Sequence, residues 1–84
     1  MEAGTVISAQ ISVYLLRQEH LRPAVQAVKA ELDTHRLKPE IRAMSTHVVG
    51  EADAVFAALR DAFVRVAANG QVVMTVTDSN ACPI

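Results

Sequence analysis

Apolar residues in this chain of 84 recur at every second position, then at every third or fourth, then at every second again, and the cycle runs twice. From Thr5 to Leu15, Ile7, Ala9, Ile11, Val13 and Leu15 form one row and Ser8, Gln10, Ser12 and Tyr14 the other, the period of a strand with one buried face. From about Glu19 to His35, Leu21, Val25, Val28 and Leu32 make the stripe of an amphipathic helix, and Pro23 requires that helix to begin close by. Leu37 to Met44 alternates again. Pro39 cannot donate to a ladder, so this strand is expected at a sheet edge. Ser45 to Val49 is a short third strand closed by Gly50. Glu51 to Asn69 reads as a second helix with Val55, Phe56, Leu59, Ala62, Phe63 and Val66 inward, capped by a left-handed Gly70. Gln71 to Thr77 is the last strand, and Asp78 to Ile84 a polar tail.

The order β-α-β-β-α-β contains no linker, so residues 1–84 form one domain. Right-handed crossovers place the outer strands of each strand–helix–strand unit parallel, with a third strand between them. The compact solution is an α+β, ferredoxin-like sandwich: a four-stranded antiparallel sheet in the order 4-1-3-2 with both helices on one face. That order puts the Pro39 strand on an edge, as the proline independently requires.

Half the residues are apolar (51%), enough for a packed core, and the net charge of −1 is spread over interspersed acids and bases. There is no basic stripe for nucleic acid, no polybasic anchor and no apolar run approaching the ~20 residues of a membrane span. The RNA-recognition fold shares the topology but needs aromatics on both central strands, where only Tyr14 stands. A single thiol, Cys82, and an N-terminus without a signal-peptide pattern lead us to expect a cytoplasmic protein. A domain of this size buries only ~60–65% of its unfolded surface, and without a disulfide or metal, self-association is the expected support.

With both helices on one face, the other face is bare. Ser8, Gln10, Ser12 and Tyr14 from the first strand and Val73, Thr75 and Thr77 from the last should occupy it. These are small hydroxyls and an amide, groups that either meet a second subunit or line a pocket for a heteroaromatic ligand. Catalytic constellations are missing. His20, His35 and His47 lack metal-ligand spacing, so no metal site is expected. His35 suits a helix end, and only His47 has a route to the bare face. Cys82 has no basic neighbour to activate it. Glu19, Glu31, Asp33, Asp53 and Asp61 fall on helix surfaces facing solvent. Asp78, directly after the last strand, is placed to offset a cationic ligand.

Three strings, "ISAQISVYLL" (Ile7 to Leu16), "MSTHVVG" (Met44 to Gly50) and "VVMTVTDSNACP" (Val72 to Pro83), closely resemble the small thiamine-binding, YkoF-like family, over about Val6 to Pro83. The resemblance implies a ferredoxin-like subunit that forms dimers and often tetramers and binds thiamine or its hydroxymethylpyrimidine moiety. It implies no catalysis and no cofactor other than thiamine as ligand. Carried over position by position, it implies that Gln10, Ser12, Ser45, Thr46, Thr75, Thr77 and Asn80 are the polar site positions. Leu15 departs from the family's proline after the tyrosine, and His47 from a usually aliphatic residue, which changes the pocket there. Gln10, Ser45 and Thr46 would match an aminopyrimidine edge, and Asp78 or the ring of Tyr14 would stabilise the thiazolium. The competing readings are a regulatory or interaction module whose open face serves only homo-oligomerisation, and a dimeric ferredoxin-like enzyme with His47 as its one candidate group.

Overall fold

The computed structural model describes residues 5–16, 22–42, 45–68 and 70–81. Its elements are β1 (Val6–Leu15), α1 (Arg22–Thr34), β2 (Glu40–Ile41), β3 (Thr46–Glu51), α2 (Ala52–Ala67) and β4 (Val72–Ser79). The sheet order is β2-β3-β1-β4 with every pair antiparallel, the arrangement expected of a ferredoxin-like sandwich. The expected helix start near Glu19, the histidine at 20, Leu21, Ala43 and Met44 of the edge strand, Asn69 and the Cys82–Pro83 tail lie outside the described residues.

The core forms where the apolar rows of the strands meet the helices. Ile7, Ala9, Ile11 and Val13 of β1 and Val48 of β3 are buried against Ala24, Val28 and Leu32 of α1 and Val55, Ala58, Leu59, Ala62 and Val66 of α2. Alanines at 24, 58 and 62 let the helices approach closely, and each fully buried Val, Leu or Ile contributes about 1.5–3 kcal/mol. Phe56 and Phe63 correct the expected stripe of α2. Both are exposed, and Ala52, Ala58 and Ala62 take the inward positions, because the space between two close helices admits methyl groups and not rings.

The chain turns are tied by backbone bonds. After α1, Arg36 adopts φ 62°, Arg36 N–H donates to the Asp33 carbonyl and Leu37 N–H to that of Leu32, both at 2.9 Å. This is a Schellman closure, with Leu32 and Leu37 buried together beneath it. No loop separates β3 from α2. The first helical N–H, that of Ala52, donates at 2.8 Å to the carbonyl of Thr5, the residue before β1, which satisfies a donor the helix cannot. Gly70 has φ 146°, the positive φ its glycine permits.

Strand boundaries differ from expectation, and β3 runs through Gly50 to Glu51. Among the described residues β2 is Glu40–Ile41, and the proline at 39 keeps the ladder from extending backward. β4 runs on to Ser79, so Asp78 belongs to the strand and not to a tail.

Candidate functional site

Opposed residues of an antiparallel pair project to the same side of a sheet. Gln10 is opposite His47 on β3 and Thr77 on β4, and His47 is opposite Glu40 on β2. A single line of side chains, Glu40–His47–Gln10–Thr77, therefore crosses all four strands on the face away from the helices. At roughly 4.8 Å per strand the line spans about 14 Å. Ser8 stands between Val49 and Ser79 in the next row; Ser12 faces Thr75 and Tyr14 faces Val73 farther along. The neutral polar row is thus uncovered by the protein's own helices, as the alternation of β1 requires.

A concavity of about 360 Å³ lies over this line. Its floor is Ser8, Gln10, His47, Thr77 and Ser79, and its β2 side is Lys38, Glu40 and Arg42. His47 is held in place by a hydrogen bond of 2.9 Å between Nε2 and Ser45 Oγ, whose direction follows the imidazole tautomer. Arg42 Nε donates to Glu40 Oε1 at 2.9 Å, and Arg42 N–H donates to the Ser45 carbonyl at 2.8 Å, fixing the basic side against β3.

Of the residues singled out from sequence, Ser8, Gln10, His47 and Thr77 line the concavity. Ser12, Tyr14 and Thr75 share the open face but lie beyond it, and Ser45 touches it through His47. Thr46 lies on the other side of the sheet. It is opposite Ile11, only 4% exposed, and belongs to the helix-covered side, because adjacent strand residues point opposite ways. Asp78 is likewise off the open face, since it pairs with the inward Ala9. Asn80 lies past the end of β4 and outside the concavity. Lys38, Glu40, Arg42 and Ser79 also line the concavity, and sequence reasoning did not single them out. Their signal was present: the three charges alternate with Leu37, Pro39 and Ile41.

A second group of polar side chains lies between the helices. Glu31, His35 and Asp61 bring ligand-type atoms within 4.8 Å of one another. Arg65 Nη1 donates to Glu31 at 3.0 Å and Arg60 Nε to Asp61 at 3.1 Å, so cations already serve both carboxylates. Glu31 and Asp61 therefore do not simply face solvent as expected; they clasp α1 to α2. Hydrogen bonds from His35 and then Arg60 hold the Asp61 carboxyl below the usual aspartate value.

The sequence profile described as that of a thiamine-binding protein matches residues 9–78, a span that contains Gln10, His47 and Thr77. The chain belongs to the thiamine-binding protein family. No curated protein matches it. A hypothetical protein of Methanocaldococcus jannascii superposes with a TM-score of 0.82 at 22% identity, over 89% of this chain and 79% of that one. A domain of unknown function from Bacillus cereus gives 0.74 at 17% identity, over 89% and 75%. A candidate thiamine biosynthesis/salvage protein of Thermotoga maritima gives 0.77 at 13%, over 88% and 82%. At these identities the likeness is one of fold. Among the described residues, no helix of this family member is long and apolar enough to cross a membrane.

Proposed function

We propose that the protein is a non-catalytic, cytoplasmic binder of thiamine or its hydroxymethylpyrimidine moiety, and that the ligand lies over the Glu40–His47–Gln10–Thr77 line. The observation that carries this reading is the concavity of about 360 Å³ floored by that line, within the span matched to thiamine-binding proteins. Its size falls within the ~300–1,000 Å³ of small-molecule sites. An aminopyrimidine edge offers an amino donor beside ring-nitrogen acceptors. The Gln10 amide matches it with one acceptor and two donors, while Thr77 and His47 each present a group able to donate or accept. Isothermal titration calorimetry with thiamine and with hydroxymethylpyrimidine tests the reading. Saturable heat and a ligand-dependent rise in melting temperature are expected. Neither signal at millimolar ligand would reject it.

A second reading rests on the apolar residues at the two ends of the same face. Val6 (58% exposed) and Val49 (54%) lie at one end, Tyr14 (49%) and Val73 (44%) at the other. Two such faces meeting across a twofold axis would cover them and enclose the polar middle, giving a homodimer. Native mass spectrometry reads the assembly state directly.

A further inference from the structure

The concavity is electrically lopsided. Toward β1 and β4 it presents only neutral groups, Ser8, Gln10, Thr77 and Ser79; toward β2 it presents Lys38, Glu40 and Arg42 with His47 beside them. Glu40 is engaged by Arg42 through Nε at 2.9 Å, which leaves the remaining guanidinium donors of Arg42 unspent on that carboxylate. Lys38 has no carboxylate within ion-pair distance among the described residues. The β2 side therefore carries an uncompensated positive charge next to a heteroaromatic-sized floor.

We infer that the ligand carries an anionic group of the phosphate-monoester class, which sits against Lys38 and the free edge of Arg42 while its ring lies over Gln10 and Thr77. This rests on the reading that the open face binds a pyrimidine-type ligand, and it narrows that reading. A thiazolium is better placed over the neutral groups of β1 and β4 than against this wall, which leaves the wall to an anionic substituent. A phosphate dianion accepts charge-assisted hydrogen bonds from a lysine and from a guanidinium fork, among the stronger contacts a shallow site offers. His47, opposite Glu40 on the neighbouring strand, stands between this wall and the neutral floor.

Calorimetry with hydroxymethylpyrimidine, its monophosphate, thiamine, thiamine monophosphate and inorganic phosphate tests this. Each monophosphate is expected to bind at least about tenfold more tightly than its parent, and the gap should shrink as salt rises. Lys38→Gln and, separately, Arg42→Gln should narrow the gap; both positions are exposed, and unchanged melting temperatures would exclude misfolding as the cause. Equal affinity for parent and monophosphate, or a Lys38→Gln loss shared equally by both, would overturn the inference while leaving the pyrimidine reading standing. Inorganic phosphate binding as tightly as the esters would overturn it too, by removing the ring from recognition. No binding by any of the five would sink both.

Discussion

His35 Nε2 lies 2.8 Å from a carboxylate oxygen of Asp61, joining the residue just past the end of α1 to the middle of α2. Two surfaces that otherwise meet through alanines and aliphatics thereby gain a polar tie whose strength follows pH. His35 and Arg60 lower the Asp61 pKa in the folded state. A depressed carboxyl pKa means stability that is fully present above the unfolded value, about 4, and lost as pH falls through the folded one. Asp61→Asn should therefore melt lower than the parent near neutrality, and the two should converge as pH drops from about 5 toward 2. Parallel melting curves across that range would contradict it.

Arg36 holds the left-handed position of the α1 cap at φ 62°, a conformation that costs an L residue about 1 kcal/mol relative to glycine. Arg36→Gly is expected to stabilise by about 0.5–1 kcal/mol, less what glycine adds to the unfolded chain's entropy. Urea denaturation reads this directly, and a lower midpoint would count against the assignment.

Gly50 is required by close approach and not by its backbone angles. A methyl group there would overlap Leu37 Cδ2 and touch Val55 Cγ2 at 3.5 Å. Leu37 is buried and has little room to yield. Gly50→Ala should cost about 1–3 kcal/mol. The double variant with Leu37→Ala should cost less than the sum of the two single changes, since the clash is then gone. Strict additivity would show that the two side chains are not in conflict.

Gln10 and Thr46 separate binding from folding. Gln10 is exposed on the floor of the site, so Gln10→Ala should lower affinity for the pyrimidine ligand about tenfold with the melting temperature nearly unchanged. Thr46 is packed on the helix side, so Thr46→Ala should cost about 1 kcal/mol of stability and leave affinity alone. The reverse pattern would invert the two faces of the sheet.

The alternation of β1 was enough to read the sheet's two faces, because Ile7, Ala9, Ile11 and Val13 admit only one inward register. Pro39 was enough to place β2 on the edge. What single-sequence periodicity missed follows from distances between elements. It ranked Phe56 and Phe63 as core by hydrophobicity, yet the buried face of α2 is taken by Ala52, Val55, Ala58, Leu59, Ala62 and Val66. It placed Thr46 with Ser45 by resemblance, although neighbours in a strand must part to opposite faces. The charged wall of the site was readable as a row but not as a wall, since nothing local shows that Lys38 and Arg42 flank the same hollow as Gln10.

Among the described residues β2 meets the sheet through two residue pairs, Glu40 with His47 and Ile41 with Thr46. So short a ladder is the cheapest part of the sheet to detach, and it carries the side of the hollow where Lys38 and Arg42 stand. Any guest that grips those two side chains also clamps the strand beneath them. Part of its binding free energy is thus spent on order, and stiffening the hairpin in the unliganded protein would tighten the site without adding a contact.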